Sequence, residues 1–182
     1  MDLIRVRRSV RTYDPRPLEA ELRTEIEEAL RQSQPTVFNN PVRLQLVDKD
    51  YAADSGIRLG TYGLIKNARS FVAGAVQTGE KCCVDFGYVM EKIILFLTGK
   101  GLGTCWLGGT LTRGRFAKAV DLQQNEELPA ATPVGFPAAR KSLRERLLRL
   151  GVRPSRRKPW KQLFFEEDFV TPLTEGSAGQ YA

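Results

Sequence analysis

The sequence predicts an α+β protein in which a sheet packs between helices around one long, central apolar helix. Three observations carry this reading. Helical and strand-like patterns are mixed along the chain without strict alternation. Short β-prone runs, "VRLQLV" and "SFVAGAV", are too brief for helices and are bounded by polar or turn-forming residues. Residues Cys82 to Thr98 are apolar on most of their circumference, through Val84, Phe86, Val89, Met90, Ile93, Ile94, Phe96 and Leu97.

The elements follow in order. Pro17 to Gln34 is a helix: Asp14 and Pro15 precede it, and Leu18, Leu22, Ile26, Ala29 and Leu30 recur at helical spacing. Val42 to Val47 alternates apolar and polar, as a half-buried strand does. Tyr62, Gly63 and Asn67 read as a turn. Ser70 to Val76 is a buried strand. The apolar helix from Cys82 is stopped by Gly99, Gly101 and Gly103. "TCWLGG" then forms a strand running into a glycine turn, with Cys105 and Trp106 in the core. Thr112 to Val120 is a short helix with Thr112 as its cap. "AATPVGFP", Ala130 to Pro137, is a last strand, interrupted at Pro133. Ser142 to Leu150 is a basic helix stopped by Gly151. Trp160, Phe164, Phe165 and Phe169 form an aromatic segment that packs on the body or on a partner. "TPLTEGSAGQYA" begins another helix.

With 182 residues, the chain is sized for a single domain, 1–182, with a core that needs no staples. No apolar run is long enough to span a bilayer, and "MDLIRVRR" lacks a signal-peptide core, so a cytoplasmic location is expected. The chain has no histidine, which removes Ser-His and Cys-His nucleophiles and histidine-based zinc sites. Its three cysteines include an adjacent pair, Cys82 and Cys83, but no Cys-x-x-Cys and no disulfide framework. Neither a metal nor a catalytic side chain is expected, and Asp85 and Glu91 on the apolar helix are too few for acid–base work. An enzyme of this composition takes its chemistry from a cofactor.

The net charge is +7, and it is unevenly spread. Arg140 to Lys161 holds ten basic residues against one acid, Glu145. A solvated helix face accounts for most of them; nucleic acid or a small phosphorylated ligand are the sharper readings. Against nucleic acid, the segment lacks interleaved aromatics before Trp160. A second cluster, "RRSVRTYDPRP", puts Arg7, Arg8 and Arg11 around Ser9. A hydroxyl among guanidiniums is a good phosphate-binding group, although an arm of solvated charges would look the same. "GKGLGTCWLGG" fails the dinucleotide fingerprint, since Trp106 stands where a glycine is required, and no P-loop occurs. Gly108 and Gly109 are harder to dismiss: paired glycines after a strand let bare backbone approach something flat or anionic.

Taken together, "RRSVRTYDPRPL", "GKGLGTCWLGGTL" after the apolar helix, "TPVGFP" and "RRKPWKQLFF" resemble the flavin-dependent nitroreductase superfamily in order and spacing. The resemblance covers nearly the whole chain and is nearest to the branch in which one chain carries two related halves. It implies a nitroreductase-like sheet between helices, FMN as cofactor, NAD(P)H as hydride donor, and nitroaromatic or quinone-type small-molecule acceptors. It places Arg7, Arg8, Ser9 and Arg11 at the FMN phosphate and ring, Gly108 and Gly109 near flavin N5, and Arg157, with Lys158 beside it, at the phosphate. The family's Pro-Ser-x-x-Asn-x-Gln-Pro-Trp element is matched by "QPTVFNNPVRL", where Thr36 stands for the serine and Asn39 for the asparagine, and the Gln and Trp are lost. In the two-half branch the better copy lies in a second half beyond this sequence, so this chain is expected to pair with a second copy as a homodimer, or to be one half of a longer protein. Two other classes stay open: a flavin-free binding module on the same fold, and a nucleic-acid-binding protein using residues 140–161.

Overall fold

A computed structural model describes residues 2–33, 35–49, 59–139 and 158–179. The chain forms two compact units, Met1–Ser142 and Leu143–Ala182. In the first, the order is α1 (Leu3–Val6), α2 (Ala20–Arg31), β1 (Val42–Asp48), β2 (Ser70–Gln77), α3 (Cys82–Gly99), α4 (Arg113–Ala119), β3 (Glu126–Glu127) and β4 (Ala131–Val134). The predicted helices at 17–34, 82–98 and 112–120 and the strands at 42–47 and 70–76 all form, with ends shifted by a few residues. α1 and β3 were not legible as elements: each is too short to show a period.

β2 is the middle of an antiparallel sheet. Along one edge it pairs with β1, Leu44 opposite Gly74; along the other it pairs first with β4, Val72 opposite Thr132, and then with β3, Val76 opposite Glu127. Every β2 residue but Gln77 is buried. The strand's period of two then feeds two cores. Val72 and Val76 pack with Ile26 and Leu30 of α2 and with Phe86, Val89, Met90, Ile93, Ile94 and Leu97 of α3. Phe71 and Ala73 face the other way, toward Val10, Tyr13, Leu107 and the α4 residues Phe116 and Ala119. Gly74 is obligatory: a Cβ there would lie 2.3 Å from the carbonyl oxygen of Arg43 and 2.5 Å from the Leu44 side chain.

The apolar helix α3 buries one face from Cys82 to Leu97, while Val84 and Tyr88 stand 53% and 47% exposed on the other side. Its one buried acid, Asp85, is fully covered.

The expected strand in "TCWLGG" is only a run of single bridges, Gly103 to Gly135, Thr104 to Ser9 and Leu107 to Ala131. The cause is Pro133. Ala131 directs its N–H to the Leu107 carbonyl, 3.0 Å, so two residues on the proline ring sits where the next ladder donor would face Cys105. The Cys105 N–H turns instead to the Thr132 hydroxyl, 2.9 Å. Trp106, expected in the core, is 37% exposed, because it alternates with the buried Cys105 and Leu107 and so falls on the outer face. Cys105 is buried as expected.

In the second unit, Trp160 stacks on Phe164 at 4.1 Å and donates its indole N–H to the Leu173 carbonyl, while Phe169 is 91% exposed. Thr174 and Ser177 cap a helical turn at Glu175–Ala178 reciprocally. The basic helix expected at Ser142 to Leu150, and Arg157, lie outside the described residues.

Candidate functional site

The N-terminal arm is stitched onto the segment that leaves α3. Leu102 N–H donates to the Leu97 carbonyl and Gly103 N–H to that of Gly135, which turns the chain straight from helix to sheet. Ser9 then bridges Thr104, with Val10 N–H donating to the Thr104 carbonyl at 2.8 Å. The approach is tight: a Cβ on Gly103 would stand 2.8 Å from that of Val10. Further along, Tyr13 N–H donates to the Lys66 carbonyl and Lys66 N–H to that of Arg11. The fully buried Tyr13 donates its hydroxyl back to the Val10 carbonyl, 2.8 Å. Residues 9–13 are therefore fixed backbone.

This fixed arm holds the arginines in three different states. Arg7 pairs with Glu91 of α3, Nε to Oε1 3.3 Å. The other oxygen of Glu91 accepts the Trp106 indole N–H, 2.9 Å, so one carboxylate ties arm, helix and turn. Arg8 is exposed and makes no ion pair among the described residues. Arg11 is half-buried, and its Nε is buried with no hydrogen-bond partner. A guanidinium N–H in that position is costly unless a ligand completes it.

Gly108 and Gly109 follow on the same segment, four and five residues past Thr104. Both are exposed, and a Cβ on either would meet nothing within 4 Å. Neither packing nor a left-handed backbone requires glycine here, so the surface above them is bare and open. The turn is held from behind by Arg113, which donates to the carbonyls of Gly108 at 3.1 Å and Leu128 at 2.6 Å.

Asn39 stands apart from the arginines. It is exposed, with a left-handed backbone at φ 62°, and no hydrogen bond or ion pair links it to them among the described residues. Its conformation is imposed by Asp85. That carboxylate accepts the N–H groups of Val37 (2.7 Å), Phe38 (2.8 Å) and Asn40 (2.9 Å), and the Asn40 side-chain amide at 2.8 Å. Burial pushes the Asp85 carboxyl up, and the four donors together outweigh it, leaving it below the usual aspartate value. Asp85 is thus the loop's anchor, a role the sequence reading missed; the available signal was a lone acid in the first turn of an apolar helix.

The candidate site is an arm carrying Arg11, docked through the Ser9–Thr104 bridge onto the segment that carries the open glycine turn. A model of the family described as "Putative TM nitroreductase" matches residues 1–174. Among solved structures, an oxidoreductase containing FMN is 20% identical over 93% of this chain and 92% of its own, with a TM-score of 0.72. A nitroreductase family protein from Clostridium difficile 630 is 19% identical over 91% and 96%, TM-score 0.65. A structure from Desulfovibrio desulfuricans, in complex with FMN, is 24% identical over 80% and 93%, TM-score 0.58. These likenesses establish the fold. No curated protein matches the sequence.

Proposed function

The chain belongs to the nitroreductase family whose model spans residues 1–174, and on that premise we propose that it is an FMN-dependent oxidoreductase. In this reading it takes hydride from NAD(P)H and passes electrons to nitroaromatic or quinone-type acceptors. The observation that carries the proposal is Arg11, whose buried Nε has no partner. FMN fits the chemistry of this arrangement: its phosphate and the polar edge of its ring are acceptors, and Arg11 offers a buried donor with no partner among the described residues. When bound, FMN supplies a ring that accepts hydride and releases electrons.

The chain's own residues bind and orient. Arg11 donates from a fixed backbone, so little ordering cost falls on binding. Arg8 and the Ser9 hydroxyl are the further donors of the arm, suited to phosphate. Arg7 contributes through its placement beside Glu91. The bare backbone at Gly108 and Gly109 lets a flat ring lie close and leaves its face open to a second reactant. Asn39, fixed by Asp85, is the candidate for a wall shared with a second copy, and exposed Val84 and Tyr88 on α3 favour such self-association.

A flavin-free binding module is the second reading, favoured by the Arg7 charge being taken up by Glu91. One experiment separates the two. The visible spectrum of the protein is recorded with FMN, followed by anaerobic NADH or NADPH. A perturbed flavin spectrum bleached by the nucleotide supports the oxidoreductase; a spectrum identical to free FMN sinks it.

A further inference from the structure

Two thiols and a carboxylate converge where α3 begins beside β3. β3 is only two residues long, and its alternation splits them. Glu126 turns to Arg43, with Oε2 2.6 Å from Nη2. Glu127 turns to the start of α3, where its Oε1 accepts from the sulfurs of both Cys82, 2.8 Å, and Cys83, 3.2 Å. One potential ligand atom from each of the three residues lies within 4.8 Å of the others. Cys82 is buried and Cys83 exposed, so the cluster has an anchored side and an open one.

We propose that Cys82, Cys83 and Glu127 form a binding site for a borderline-soft divalent cation, Zn²⁺, with water as the fourth ligand. Zinc holds thiolates at about 2.3 Å and a carboxylate oxygen at about 2.0–2.2 Å, which puts tetrahedral ligand atoms roughly 3.5–3.8 Å apart. Small rotations of the three side chains reach that spacing. Two S–Zn bonds and one O–Zn bond form, the two thiol protons leave to solvent, and nothing is oxidised or reduced. The charges balance: two thiolates and one carboxylate are offset by the cation and by Arg113, which is held beside Glu127 through the Leu128 carbonyl. The site is independent of the flavin reading. It runs against the sequence expectation of no metal, which rested on the missing histidines and Cys-x-x-Cys. Glu127 lies 44 residues from Cys83, and only the β2–β3 pairing brings it there.

The test uses the full chain, reduced and stripped of metal, titrated with Co²⁺ and then with Zn²⁺. The expected result is a near-ultraviolet thiolate-to-cobalt charge-transfer band that saturates at one cation per chain and is abolished by Zn²⁺. Cys82→Ser and Cys83→Ser should each remove the band. Glu127→Gln should weaken Zn²⁺ binding by at least about 10–100-fold, the loss seen even for outer-shell partners. Cys83 is exposed, so its variant tests the site even where Cys82→Ser fails to fold. No band in the parent chain, a band that survives Cys83→Ser, or unchanged Zn²⁺ affinity in Glu127→Gln each overturns the assignment.

Discussion

Val10 and Gly103 touch so closely that a single methyl group on the glycine would stand 2.8 Å from the valine Cβ. Both flank the Ser9–Thr104 bridge, so this contact sets how near the arginine arm lies to the segment carrying the glycine turn. Gly103→Ala forces the arm outward. A loss of about 1–3 kcal/mol in urea unfolding is expected, with FMN affinity falling alongside it. Retention of parent stability would show that the arm yields freely.

Arg11→Ala removes the donor that has no partner in the protein. Since that N–H makes no bond to lose, thermal stability should hold, while FMN binding weakens roughly 10–100-fold, the worth of one charge-assisted hydrogen bond. Equilibrium titration by flavin fluorescence checks it. Unchanged affinity in a folded variant would remove Arg11 from the site.

Glu91→Ala cuts the Arg7 pair and strips the Trp106 indole of its acceptor. The groups are partly exposed, so the stability cost should be under about 1 kcal/mol. In a Trp160→Phe background the emission reports Trp106 alone, since the chain has two tryptophans. A red shift is expected; an unmoved spectrum would mean that the indole bond does not order the turn.

Asp85 makes stability depend on pH with a definite sign. Its folded-state carboxyl is held below the usual value, about 3.9 when unfolded. The unfolded chain therefore binds the proton more readily, and Asp85's contribution is present above that value and lost as pH falls through the folded one. The stability gap between the parent and Asp85→Asn should be full near neutrality and should close in acid. Urea midpoints across a pH series read it directly, and a gap that widens on acidification would contradict the sign.

The parts of this fold that repeat were readable from the sequence. Ile26 and Leu30 on α2, and Val89, Met90, Ile93 and Leu97 on α3, fall at helical spacing, and β2 shows as a continuous apolar run. Single contacts between distant segments were not readable. Trp106 reads as core because it stands in an apolar run; only the fold shows Cys105 and Leu107 turned inward and the indole N–H taken up by Glu91 of α3. Asp85 looked like a stray charge because its four donors sit more than forty residues earlier. The arginine arm was visible as a cluster, but only the fold separates Arg7, held by Glu91, from Arg11, whose Nε waits for a partner.

The bridge from Ser9 to Thr104 has a consequence for biosynthesis. The arm leaves the ribosome ahead of its docking edge, which follows some 95 residues later, or roughly 5–20 s at ordinary translation rates. Until then the Val10 N–H lacks the Thr104 carbonyl that it meets in the folded chain. Such distant pairing closes slowly, which makes the arm a late arrival in folding, although it is made well before the segment on which it docks.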